Sequence, residues 1–213
     1  MISYIFSGFD VKEHFGNDVS EYFKKDMKEC KSITFIPGSF EDLDKVKRYV
    51  STDVEWFKEI GIDLEEVNIL DDNTEEDVMI DNIKFIMGGD TQRQNLFLER
   101  YKLKKMIKEA NGIVIGVSAG AINLGGISLC SRDPDDGVNE TITYRGIERI
   151  DYTIEPHFDL NNLDLLNNEL YPISNNIKIY GLPNDTGVRI TNADYDIIKG
   201  DFYLIYKNGV EKL

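Results

Sequence analysis

Ser118 is a residue whose setting could do chemistry. It lies in Gly116-Val117-Ser118-Ala119-Gly120, which satisfies the G-x-S-x-G pattern directly after the apolar run GIVIGV (112–117). In that pattern flanking glycines let a strained strand-to-helix turn lift the serine hydroxyl to the carboxyl end of a strand. The small-residue helix that follows offers backbone N–H groups to a developing oxyanion. A glycine-rich packing turn is the plainer reading of the same letters. A serine nucleophile needs a base, and the chain holds only two histidines, His14 and His157. His14 sits in the charged stretch VKEHF, where a surface role is the default. His157 ends the strand-like run TIEPHFD, whose direction Pro156 restricts, and is the better base.

An imidazole acting as base needs a partner for its other nitrogen. The turn GLPNDTG (181–187) supplies Asn184 and Asp185, both short enough to hold an imidazole N–H and both equally at home as turn formers. Asp135 and Asp136, between the serine and the histidine, compete for the role. A second glycine turn, Met87-Gly88-Gly89-Asp90-Thr91, comes between the strand KFIM and a helix. Asp90 or Thr91 reads as the helix N-cap, while a glycine amide there can point at the crevice that Ser118 faces, because ligands gather at the carboxyl ends of parallel strands.

Positioning these groups calls for an open parallel sheet. Strand-like runs alternate with amphipathic segments: ISYIFSGF (2–9) and a helix near 17–29, SITFIPG (32–38) and a helix near 42–60, EEVNIL (65–70) and a short helical piece near 74–80. KFIMGG (84–89) and a long helix near 92–110 follow, then GIVIGV. Such alternation implies a parallel sheet with helices on both faces. AINLGGI opens a brief helix, 131–146 reads as a polar loop, and strand character returns at 148–155. A helix near 159–170, the strand IKIYGLP (177–183) and an antiparallel β-rich tail complete the reading. The triad order argues against an α/β-hydrolase, whose histidine comes far downstream near the chain end.

At 213 residues the chain is expected to form a single domain spanning 1–213. Its formal charge of −15 opposes nucleic-acid binding. Two cysteines, Cys30 and Cys130, at no metal-ligand spacing, suit a reducing cytoplasm. The uncharged run 112–130 is too rich in glycine and polar side chains for a membrane span. The expected partner is a small peptide, with a homodimer allowed, and neither nucleic acid nor membrane; no cofactor or metal is implied.

Taken together the motifs resemble the peptidase E (aspartyl dipeptidase) family of serine peptidases. YIFSGF, FIPGS, MGGDT (similar to GGNT), GVSAGAI (similar to GxSAGA), EPHFD (similar to PHxD) and GLPND occur in the family's order over nearly the whole chain. The resemblance implies a three-layer α/β/α fold similar to class I glutamine amidotransferases, with serine where those use cysteine. It also implies Ser118 as nucleophile, His157 as base, and the amides of Gly89 and Ala119 as the oxyanion hole. The family carries a carboxylate on the last turn; alignment puts Asn184 there with Asp185 one step on. Aspartyl specificity needs a cation in the pocket, for which Arg145 and Arg149 are the candidates, with Asp90 a further candidate substrate contact. Other amides or esters, including isoaspartyl or cyanophycin-like peptides, are alternative substrates. A peptide binder with weakened catalysis is the alternative from another class.

Overall fold

The computed structural model describes residues 1–71, 82–134, 137–192 and 194–213. The short helix expected near 74–80 and the competing Asp135 and Asp136 fall outside the described residues.

The parallel part of the main sheet follows the strand readings. β1 (Ile2–Phe6), β2 (Ser32–Gly38), β3 (Glu66–Ile69), β4 (Ile83–Gly89) and β5 (Ile113–Val117) lie side by side in the order β1-β5-β4-β2-β3, all parallel. The strand period of two sends alternate residues to opposite faces. Tyr4, Phe6, Ile33, Phe35, Ile83, Phe85, Ile113 and Ile115 face one core, with Val19, Phe23, Val50 and Phe57 of α1 (Gly16–Asp26) and α2 (Leu43–Glu59). Ile5, Ile36, Ile86 and Val114 face the other. There they meet Phe97 and Leu98 of α3 (Thr91–Arg100), Leu103 and Ile107 of α4 (Leu103–Glu109), and Ala121 and Leu124 of α5 (Ala119–Leu124). The result is the expected three-layer α/β/α arrangement with a mostly parallel sheet.

Several boundaries differ from the sequence reading for local reasons. The single helix expected near 92–110 is two, because Lys102 adopts φ 55° and breaks the helical path between α3 and α4. The segment 131–146 is not wholly loop: β7 (Ile142–Arg145) pairs antiparallel with β6 (Ile127–Cys130). Strand character expected at 148–155 is confined to β8 (Thr153–Pro156). The helix expected near 159–170 begins at Leu163–Leu165, passes through a π-helical stretch, Leu166–Leu170, and ends at Tyr171–Ser174.

The antiparallel tail is present but divided between two sheets. β10 (Gly187–Thr191) pairs with β1 and β11 (Tyr195–Lys199) with β10, extending the main sheet past its first strand. β12 (Tyr203–Tyr206) and β13 (Gly209–Lys212) instead join β9 (Ile179–Leu182) and β8 in a four-stranded sheet. A third cluster containing Leu129, Phe158, Leu166, Leu170, Ile179 and Ile205 packs this smaller sheet. Among the described residues no helix is long and apolar enough to cross a membrane.

Candidate active site

Ser118 stands between β5 and α5 with φ 50° and ψ −110°, a conformation that a non-glycine residue adopts only when its surroundings enforce it. The enforcement is visible on both sides. Its N–H donates to Phe6 O at 2.8 Å, tying the turn to the end of β1, and its carbonyl accepts from Ile122 N at 3.1 Å. The flanking glycines are required by close approach: a Cβ at Gly120 would come within 2.1 Å of Ile86 O, and one at Gly116 within 2.8 Å of Gly120 C. Glycine at these positions lets α5 press against the sheet. Ala119 is the first residue of α5, so its N–H has no partner within the helix.

His157 follows β8 directly and also has positive φ, 55°. Its Nε2 lies 2.9 Å from Ser118 Oγ. Its Nδ1 lies 2.6 Å from Asn184 Oδ1. The second contact follows from strand pairing: β8 and β9 are parallel with Pro156 opposite Leu182, so the residues just beyond both strands emerge together. An amide oxygen only accepts, so Nδ1 carries the proton and Nε2 presents its lone pair to the serine hydroxyl. His157 is thus held in the tautomer that a general base needs.

The turn after β9 separates the two candidate partners. Thr186 N donates to Pro183 O at 3.2 Å, and Asp185 takes φ 63°. Asn184 thereby faces His157 while Asp185 meets Lys199 Nζ at 2.7 Å. Asp185 is engaged in an ion pair, not with the imidazole.

Ser7 is a contact that the sequence reading did not single out. It is fully buried, its Oγ accepts from His157 N at 2.8 Å, and the same oxygen lies 3.4 Å from Nδ1. Its own N–H donates to Thr186 O at 3.0 Å. Ser7 therefore joins the end of β1 to His157 through its hydroxyl and to the turn carrying Asn184 through its backbone N–H. The signal was available in YIFSGF, where a serine and a glycine follow an apolar strand; a Cβ added at Gly8 would sit 3.8 Å from His157 Cε1.

On the other flank, Gly88 and Gly89 end β4. A Cβ at Gly88 would lie 3.5 Å from Ser118 Cβ, and one at Gly89, where φ is 137°, would strike Gly38 at 2.8 Å. This turn therefore borders the serine and has no room for a side chain on its far side. Asp90 next to it caps α3, accepting from Arg93 N at 3.0 Å.

The two arginines expected to grip a carboxylate do not join this group. Arg149 is buried, and its guanidinium donates to the carbonyls of Ala110, Lys108, Gly112, Ile107 and Ile2 and to Ser3 Oγ. Ile2 and Gly112 mark the amino ends of β1 and β5, the opposite edge of the sheet from Ser118. Burial without a facing carboxylate lowers the Arg149 pKa to about 10. Its work there is to satisfy carbonyls at the end of α4, where a cation is favoured. Arg145 points outward, its side chain 78% exposed and its Nε 2.9 Å from Glu148 Oε1.

A serine, an imidazole and an amide joined in sequence beside a helix N-terminus form the kind of site a serine hydrolase uses. The profile of peptidase family S51, the peptidase E family, matches residues 5–198, and the chain belongs to that family of serine peptidases. Among solved structures, the crystal structure of a peptidase from an acI-B1 Actinobacterium superposes with a TM-score of 0.70 over 100% of this chain and 93% of that one. Its sequence is 14% identical, so the likeness is one of fold. No curated protein matches the sequence.

Proposed function

We propose that this serine peptidase hydrolyses small peptides through an acyl-enzyme on Ser118. His157 Nε2 takes the Ser118 proton as Oγ attacks the carbonyl carbon. The tetrahedral oxyanion is held by the amides of Gly89 and Ala119, and on collapse the C–N bond breaks as His157 returns the proton to the leaving amine. Water then enters, gives its proton to His157, and releases the acid as Ser118 recovers the hydrogen. Asn184 holds the imidazole tautomer and Ser7 fixes the His157 backbone. The observation that carries the reading is the continuous path from Ser118 Oγ through His157 to Asn184 Oδ1, at 2.9 and 2.6 Å.

Specificity for Asp-X dipeptides finds less support. Of its candidate contacts, Arg149 and Arg145 are committed elsewhere and Asp90 is an acid. The substrate reading therefore extends to other small peptides, with isoaspartyl and cyanophycin-like amides as the neighbouring substrate classes. A cytoplasmic setting agrees with Cys30 and Cys130 both being free thiols.

Asn184 also favours a second reading, a peptide binder with weakened catalysis, because a neutral amide cannot stabilise an imidazolium as a carboxylate does. Hydrolysis of a dipeptide panel with varied first residues, using Ser118→Ala as the blank, tests both. Turnover lost in the variant supports the peptidase reading. Tight binding with no serine-dependent turnover supports the binder.

A further inference from the structure

Two amide side chains lie fully buried between the sheet and its helices: Gln94 of α3 and Asn123 of α5. Every polar atom of the pair is engaged. Gln94 Nε2 donates to Met87 O at 2.9 Å and to Ile36 O at 3.4 Å, and its Oε1 accepts from Asn123 Nδ2 at 3.0 Å. Asn123 Nδ2 also donates to Thr91 O at 3.0 Å, while its Oδ1 accepts from Asn95 Nδ2 at 3.0 Å and from Ser128 Oγ at 3.2 Å. The pair sits in a layer whose other members include Phe97, Leu98, Ala121 and Leu124. Amides there add little net stability, because a pair of apolar side chains of the same shape would serve as well. What a fully satisfied buried polar network supplies is a fixed geometry.

The backbone that this pair holds carries the two N–H groups assigned to the oxyanion. Met87 directly precedes the Gly88-Gly89 turn, which β2 holds from the other side. A Cβ at Gly38 would lie 2.5 Å from Gly88 O, and Asp90 N donates to Gly38 O at 2.9 Å. Ile36, the second acceptor of Gln94, is two residues before Gly38 on that strand. Asn123 stands one turn after Ala119, whose N–H opens α5. The bond between Asn123 and Gln94 therefore ties the helix bearing one donor to the turn bearing the other.

We infer that Gln94 and Asn123 are positioning residues that set the separation of the Gly89 and Ala119 amides, and so the fit of the oxyanion hole to the tetrahedral intermediate. This role rests on the peptidase reading of Ser118. Oxyanion donors act within a narrow span, about 2.7–3.1 Å from the anionic oxygen, and loss of one costs about 10²–10³ in turnover. Neither side chain meets the substrate; each acts through the backbone it holds. Their removal slows attack at Ser118 and leaves ground-state binding unchanged.

The double variant Gln94→Met, Asn123→Leu replaces both amides by apolar groups, and Asn95 Nδ2 and Ser128 Oγ keep Arg145 O and Ile122 O as acceptors. Phosphonylation of Ser118 by a fluorophosphonate is followed against probe concentration, alongside thermal melts. Val50→Ala is the control for lost stability, because Val50 packs in the layer on the opposite face of the sheet. The double variant is expected to melt close to the parent, with a maximal labelling rate at least about ten-fold lower and a half-saturating concentration within about two-fold. Val50→Ala is expected to melt lower and label at the parental rate. Gln94→Met alone, in which Asn123 Nδ2 keeps Thr91 O, carries the same rate prediction if the double variant does not fold. Parental maximal rates in the folded variants, or equal slowing in Val50→Ala, overturn the inference and leave the peptidase reading in place. No labelling of the native chain removes both.

Discussion

His157 Nδ1 and Asn184 Oδ1 are 2.6 Å apart, and the residue after Asn184 turns the other way to meet Lys199. An amide therefore stands where serine proteases of the Ser-His-Asp kind place a carboxylate. It fixes the tautomer but adds no negative charge to stabilise the imidazolium. In a serine protease the Asp-to-Asn change lowers turnover about 10⁴-fold.

Asn184→Asp is accordingly expected to raise kcat by at least about ten-fold, a fraction of that reference effect. Asn184→Ala, which removes the acceptor, lowers it. Asp185→Ala breaks a half-buried ion pair that does not touch the imidazole and leaves kcat within a few-fold, with a stability loss of about 1 kcal/mol. Steady-state kinetics on the three variants checks this order.

Ser7→Ala removes the acceptor of the His157 N–H while leaving the imidazole and Ser118 in place. The expected result is a drop in kcat of roughly ten-fold with little change in KM, and a stability loss of about 1 kcal/mol from one buried hydrogen bond. A KM effect alone would argue for a substrate contact instead of a positioning role.

Gly120→Ala would place a methyl group 2.1 Å from Ile86 O, whereas at Gly126 the nearest atom, Glu148 Cγ, is 3.8 Å away. The first variant is expected to lose on the order of 3 kcal/mol or fail to fold, and the second to remain near the parent. Thermal melts of the pair test whether α5 is held against the sheet as tightly as the structure shows.

Much of this site was legible in the chain because its parts lie at ends of strongly patterned elements. Apolar strands ending in Ser118, Gly89 and His157 announced both the sheet and its functional edge. The choice between Asn184 and Asp185 was not legible: one residue's displacement in a turn reverses where a side chain points, and φ at Asp185 decides it. Arg149 misled because burial depends on where its segment returns, and here that is the amino-terminal edge of the sheet. The β6–β7 pairing was hidden by the acidic, proline- and glycine-containing segment between its strands, and the division of the tail between two sheets left no local trace. Ser7 carried a local signal, a serine directly after an apolar strand, but nothing near it in the sequence pointed to its distant partner, His157.

Stability should vary with pH in a direction set by two acids, the buried Glu155 and the half-buried Asp53. Burial raises Glu155 to about 8 and Asp53 to about 7, from ordinary values of 4.5 and 3.8. Between those limits the unfolded chain gives up protons that the native protein keeps, so stability falls as pH rises from about 4 to about 8. The exposed carboxylates Asp10, Glu99, Glu148 and Asp201, whose pKa values are lowered, act with opposite sign below that window. Melting temperature measured from pH 5 to pH 8 is expected to decline, and Glu155→Gln to flatten the decline.

The nucleophilic role of Ser118 is tested most directly by intact-mass analysis after exposure to a fluorophosphonate, comparing the native protein with Ser118→Ala and His157→Ala. The site predicts one adduct on the native chain, mapped to Ser118, none on Ser118→Ala, and strongly slowed labelling of His157→Ala. No adduct on the native chain, or equal labelling of Ser118→Ala, would contradict it.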